Sequence, residues 1–271
     1  MKQLFVAIIL TTLVSGCASA PTYFKPATNA QLSPQHQIVD SSLLQPTNHT
    51  IVHLNDQQNI IYIQNFGGGG VAVGLLLGPL GVLANAKAIE SQTEEDQQQL
   101  HGKIPFEPNS ALVESASLHG IQLANNDPSA VKLTPYALVV RDEDEQLLVG
   151  TGLIVNATLS DGTAYNVRYI SQADFTISKM AVAAGLDEAQ QLAFQQALQD
   201  SLSHTLELYV RDRSGEFTGK KMVRFESEFI SPRIMFTQQS QLLATDQQRL
   251  IVRNFDHVLS VPKHLVKVLT K

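Results

Sequence analysis

Tryptophan is absent from these 271 residues and aromatic content is modest, so few platforms exist on which a sugar ring could stack. Cysteine occurs once, at Cys17, so no intramolecular disulfide can form and the folded body must rest on its core alone. Positive charge is sparse. The 19 Lys and Arg stand against 25 Asp and Glu, and most are scattered singly rather than clustered as a phosphate-binding surface requires, which argues against nucleic acid as a partner. The Walker-type Gly-Lys-Ser/Thr is missing, as is the Gly-x-Ser-x-Gly elbow of esterases. Ser129-x-x-Lys132 lacks the companion motifs of the penicillin-binding type and reads as chance. No uncharged apolar run near the N-terminus reaches the roughly 20 residues that cross a bilayer core.

What is there begins with Lys2 and the short run from Leu4 to Val14, closed by Val14-Ser15-Gly16-Cys17. A basic start, a short apolar stretch and small residues before a cysteine resemble the signal peptide and lipobox of a bacterial lipoprotein. The resemblance implies cleavage after residue 16, acylation of Cys17 and a membrane anchor of two or three chains. At about 0.8 kcal/mol per buried methylene such an anchor is stable. Ala18 and Ser19, rather than Asp, follow the cysteine, which for this family implies the outer membrane, on its periplasmic face by default. Cleavage removes Lys2 and no acid, leaving 18 basic against 25 acidic side chains.

Residues 17–44 then read as the lipidated cysteine and a flexible tether, interrupted by Pro21, Pro26 and Pro34 and spanning roughly 25 to 30 Å. Residues 45–271 read as one periplasmic α+β domain, with an antiparallel sheet of five or more strands and helices packed on one face. Thr50 to Leu54 and Asn59 to Gln64 predict a hairpin, and Pro108 to Leu118, followed by Gly120, a helix. Leu133 to Val140, Leu147 to Leu159 and Thr163 to Ile170 predict a meander turned at Asp142 to Glu145 and at Asp161-Gly162, the latter a type I′ pair. Asp187 and Gln190 have capping-box spacing, opening a long helix whose stripe is Phe194, Leu198, Leu202, Leu206 and Tyr209. Alternation over Val223 to Phe229 and a run from Arg249 to Arg253 predict further strands, and Pro262 opens a short terminal helix.

One segment, Phe66 to Ala84, carries seven glycines and no charge. Gly70, Gly74 and Gly78 lie four apart, so on a helix they form a flat stripe for close packing, similar to the glycine zippers of several envelope lipoproteins and pore-forming proteins. Three readings stay open: insertion into lipid, a contact between copies, and an intramolecular crossing that ends in a helix beginning near Pro79. Insertion is poorly driven, since nine Phe, Val and Leu residues contribute about −4 kcal/mol at most. Gly67-x-Gly69-x-x-Ala72 has no acidic residue ending a second strand, so it is no dinucleotide site.

Local chemistry is thin. His49 and His53 flank β-favouring residues, and four strand residues span about 13 Å, too far for one metal ion. His36, His101, His119, His204, His257 and His264 are isolated, so no metal or cofactor is expected. The pairs Asp142/Asp144 and Glu94/Glu95 read as solvated surface rather than as a glycosidase couple. The expected role is therefore a non-enzymatic, lipid-anchored accessory binding an envelope protein or the cell wall. Two alternatives remain: an oligomeric channel or export component inserting the Gly-rich segment, and a periplasmic hydrolase with a non-local site.

Overall fold

The computed structural model describes residues 23–40, 51–64, 78–219, 221–230, 236–245 and 248–269, and for 78–86 the backbone alone. Strands β1 (Gln35–Ile38), β2 (Ile51–His53) and β3 (Ile60–Ile63) precede helices α1 (Gly78–Leu100) and α2 (Pro108–Leu118). The two-residue β4 (Gln122–Leu123) leads into the meander of β5 (Val131–Arg141), β6 (Gln146–Thr158) and β7 (Ala164–Ser178). Short α3 (Lys179–Ala184) and long α4 (Glu188–Arg213) come next. Strands β8 (Met222–Glu226), β9 (Gln238–Thr245), β10 (Arg249–Arg253), β11 (His257–Pro262) and β12 (Lys267–Leu269) close the chain.

All strands join one 12-stranded sheet in the order β12-β8-β9-β10-β11-β7-β6-β5-β1-β4, with β3 also on β5 and β2 on β3. The sheet is mixed, which corrects the expectation of an antiparallel one. β1 is parallel to β4 and β5, β3 to β5, and β7 to β11. Antiparallel neighbours are joined by tight turns that leave a local signature, whereas parallel pairs need long crossovers. Between β3 and β5 the crossover carries α1 and α2, and between β7 and β11 it carries α3, α4 and three strands.

Residues 23–40 also depart from the expected tether. Ala27, Leu32 and His36 are buried, and β1 pairs with the start of β5. Pro26 and Pro34 forbid a helix there but not an extended strand. The first half of β5 takes β1 as its neighbour and the second half takes β3. Pro135 lies in the gap between them: Ala137 donates its N–H to Asn59 on that side, so the N–H that Pro135 lacks would point where none of the described strands pairs.

Local expectations hold where local chemistry sets them. Glu107 caps α2 by accepting from the backbone of Asn109 and Ser110, and Ile121 donates to the Ala116 carbonyl around the left-handed Gly120. Asp187 and Gln190 form the reciprocal capping box of α4. The Asp161-Gly162 turn, however, is not type I′. Only Gly162 has positive φ, Gly162 donates to Leu159, and Leu159 donates to Thr163, so this is a type I turn closed by a left-handed residue. The turn at Asp142 repeats this with Glu145 at φ 60, in the position glycine favours. After Pro262 a 3-10 turn, Lys263–Leu265, replaces the expected helix and β12 follows.

Helices α2 and α4 cover one face of β5 to β7, burying Leu112, Leu202, Leu206 and Tyr209 against Leu133, Leu153, Val167 and Tyr169. The other face is covered by the sheet itself. Phe229, three residues past β8, lies 2.7 Å from where a Cβ on Gly150 of β6 would stand. In a flat sheet β8 and β6, five positions apart, would be separated by about 24 Å at ~4.8 Å per strand. The sheet therefore coils over, enclosing Tyr136, Leu138, Ile154, Ile170, Phe225, Phe229, Val252 and Leu259. Gly152 lets the Tyr136 ring lie on its backbone, since a Cβ there would meet the ring at 2.1 Å.

Candidate functional site

On the helical face, a seam of small hydroxyl residues runs between α4 and the strands β6 and β7, beside the large apolar stripe. Thr151 Oγ1 lies 3.0 Å from Ser201 Oγ and 2.9 Å from Thr205 Oγ1, and Ser201 donates to the Ser171 carbonyl at 2.8 Å. Beside this seam opens a cleft of about 380 Å³, lined among others by Ser171, Asp174, Gln196, Asp200, His204 and Arg249. At its edge His204 Nδ1 lies 3.0 Å from Glu207 Oε2 and Nε2 lies 3.0 Å from Ser260 Oγ. Arg249 donates Nε to Ser260 Oγ at 2.7 Å, and its Nη2 reaches Ser171 Oγ at 3.1 Å and the Gln172 carbonyl at 2.6 Å.

Hydroxyl, imidazole and carboxylate thus stand in the order a serine hydrolase uses. The protons follow from the donors. Ser260 Oγ accepts from Arg249, so its own proton goes to His204 Nε2, and the Nδ1 proton of a neutral imidazole goes to Glu207. Burial and then the Arg249 charge hold the His204 pKa below the ordinary histidine value, against the pull of Glu207. Yet Ser260 is fully buried in β11, pairing with Ile251 on one side and Ser171 on the other. A carbonyl carbon has no approach to Oγ in this arrangement. What the constellation does is fasten Arg249 and the β10–β11 pair to α4.

Two more buried polar groups tie the body together. Asp96 of α1 accepts from Tyr62 at 2.5 Å, Arg141 at 2.7 Å and Lys179 at 2.7 Å, and Glu145 completes the cluster by pairing with Arg141 and Lys179. Burial alone would raise the Asp96 carboxyl, but the bonds from Lys179, Tyr62 and Arg141 outweigh it and hold the pKa below the usual range. In the second group Tyr169 donates to Asp212 at 3.0 Å, Arg253 pairs with the same carboxylate, and the Arg253 guanidinium lies 5.0 Å from the Phe24 ring centroid. Next to it His36 Nε2 lies 3.0 Å from both Tyr209 Oη and Arg213 Nη1.

Burial and the neighbouring Arg213 pull the His36 pKa down to about 4. Its folded value lies below the unfolded 6.5, so protonation favours the unfolded chain. The stability His36 permits is complete above pH 6.5 and declines as pH falls toward 4, by about 3 kcal/mol at 1.36 kcal/mol per tenfold ratio. Urea melts across that interval should show this loss, and His36→Gln should flatten the curve. An unchanged slope in the variant would place the titration elsewhere, His204 being the other histidine shifted in the same direction.

The residues singled out from sequence fall as follows. Cys17, Gly70 and Gly74 lie outside the described residues, as does His49. Gly78 opens α1 with Pro79 in its first turn, where the third reading of the Gly-rich segment puts the helix start. Asp142 accepts from the backbone of Asp144 and Gln146 and so shapes its turn, while Glu94 and Glu95 are exposed. Ser129 bonds Asp127 in a turn, away from Lys132 chemistry. Among the described residues no helix is long and apolar enough to span a membrane, and no group of three His, Cys, Asp or Glu is placed to share a metal ion. His204-x-x-Glu207 is visible in the sequence as a helical i, i+3 pair, whereas Ser260 and Arg249 join it only through the fold. Comparison with protein-family models, with curated proteins and with solved structures finds no match.

Proposed function

We propose that the protein is a lipid-anchored, non-enzymatic accessory of the outer membrane, facing the periplasm and binding another envelope protein or the cell wall. The observation that carries this reading is how the polar interior is used. The one hydroxyl, imidazole and carboxylate series described above keeps its hydroxyl sealed under Arg249, and the Asp96 and Asp212 groups are closed by protein partners. What the surface offers instead is contact area: Leu118, Met180 and Leu192 are 78%, 74% and 65% exposed. The lipobox-like Val14 to Cys17 supports the anchor and Ala18-Ser19 the membrane.

A photo-crosslinking side chain placed in turn at Leu118, Met180 and Leu192 of the acylated protein tests the reading in cells. A discrete adduct to one unlike envelope protein, or to the wall, is expected from at least one position. The Ser260–His204–Glu207 series motivates a second reading, a periplasmic hydrolase with a non-local site, which would need the β10–β11 pair to move away from α4 and uncover Ser260. Fluorophosphonate labelling that disappears in Ser260→Ala would replace the accessory by that enzyme. A large detergent-stable ring of this chain alone would instead favour the channel with Gly70, Gly74 and Gly78 as its contact.

A further inference from the structure

The packing of residues 23–40 brings the anchor close to the body. Tyr23 is already seated: its ring stacks on Phe255 with centroids 5.4 Å apart and planes 13° from parallel, and its hydroxyl lies 3.5 Å from the Gln239 carbonyl. Phe24 follows under the Arg253 guanidinium. From Cys17 to Tyr23 the chain advances six residues, which can span at most about 20 Å. That is shorter than the expected tether, and part of it is used in passing the headgroup layer, roughly 5 to 7 Å thick on each side of the hydrocarbon. The end of the molecule carrying Tyr23 is therefore confined near the lipid.

The surface at that end is distinctive. Phe236 and Phe255, 59% and 51% exposed, are the two strongly exposed aromatic residues among the described ones. Phe255 lies in the β10–β11 turn against Tyr23, and Phe236 stands three residues before Gln239, to which Tyr23 bonds. The acid beside them is neutralised, since Asp256 pairs with Arg168 and lies 2.8 Å from His257, and Lys25 is exposed next to Phe24. A locally balanced charge with aromatic side chains pointing to solvent is the composition that settles at the headgroup level.

We propose that Tyr23, Phe236 and Phe255 rest on the headgroups of the membrane that holds Cys17, so that the body is docked on the bilayer by its β10–β11 end. This rests on the reading of Cys17 as a lipid anchor. The opposite end of α4 then points away from the membrane: Leu192 lies twenty residues, about 30 Å, along that helix from Asp212, the partner of Arg253.

Because the chain has no tryptophan, one substitution installs a clean optical probe. The acylated full-length protein carrying Phe255→Trp, Phe236→Trp or Leu192→Trp is reconstituted into vesicles of phosphatidylethanolamine and phosphatidylglycerol, with and without phosphatidylcholine brominated on its upper acyl chain. Bromine should quench the tryptophan at 255, and that at 236, by roughly twofold or more, and leave that at 192 unchanged. Vesicle flotation and incorporation of labelled palmitate are followed in the same samples. If the protein floats and takes palmitate but neither interfacial probe is quenched beyond the one at 192, docking is overturned while the anchor stands, and the aromatics belong to a protein partner. If palmitate does not label the protein and it does not float, the anchor reading fails and docking fails with it.

Discussion

Asp96→Ala is expected to destabilise the protein by about 3 to 5 kcal/mol, the range for removing one partner from a buried ion pair. The size follows from what stays behind. Arg141 and Lys179, with side chains only 11% and 9% exposed, would keep Glu145 as their acidic partner, and Tyr62 would lose its acceptor. Helix α1 would suffer most, because its described contacts with the body are largely polar. Gln97 donates to the His53 carbonyl at 3.0 Å, Gln64 donates to the Ile89 carbonyl at 3.3 Å, and Leu100 is the one large apolar side chain fully buried among residues 87–100. Hydrogen exchange should accordingly rise over α1 before the rest of the body.

Two further measurements separate an ion cluster from ordinary packing. In a double-mutant cycle Asp96→Ala with Lys179→Ala should cost less than the two changes added together, since each single change already removes the bond between them. Additive losses would mean that the two groups do not act on each other. The pH dependence has a fixed sign: the Asp96 carboxyl is held below its ordinary 3.8, so its stabilisation is present at neutral pH and is lost as pH falls below that value through the folded pKa. It thus titrates in a more acidic window than His36.

Features set by neighbours in sequence were legible. The α4 stripe, its capping box, the hairpin of β2 and β3, and the β5 to β7 meander all follow from patterns read along one continuous stretch, the longest of them residues 131–178. Strands whose partners lie far away were not. β9 reads Gln-Gln-Ser-Gln-Leu-Leu-Ala-Thr, which has little strand propensity, and it forms because β8 and β10 flank it. β1 sits among prolines and polar residues that read as a tether, and it is held by Val131 to Leu133 nearly a hundred residues on. The candidate site divides likewise, with His204 and Glu207 on one helix while Ser171, Arg249 and Ser260 come from three strands. One practical consequence concerns truncation: a soluble form cut before residue 45 would remove β1 and His36, so a cut just before Tyr23 is the one that preserves the described body.

Leu202→Ala should cost about 2 to 5 kcal/mol. Leu202 is fully buried, one turn from both Leu198 and Leu206 on the stripe, in the layer that joins α4 to Leu153, Val155 and Tyr169. The surrounding seam cannot collapse easily into the space, because Ser201 and Thr205 beside it are held by hydrogen bonds to Thr151 and the Ser171 carbonyl. At roughly 2 to 4 °C per kcal/mol for a body of this size, the melting temperature should fall by about 4 to 20 °C. The urea midpoint should fall with an unchanged slope, which would show that the native state is weakened without a change in the surface exposed on unfolding. Leu192→Ala on the same helix provides the comparison: its side chain is 65% exposed, so the loss there should stay within about 0.5 kcal/mol. Equal effects at the two positions would mean that α4 is not held to the sheet by this stripe, and the seam of hydroxyls would then have to carry the contact alone.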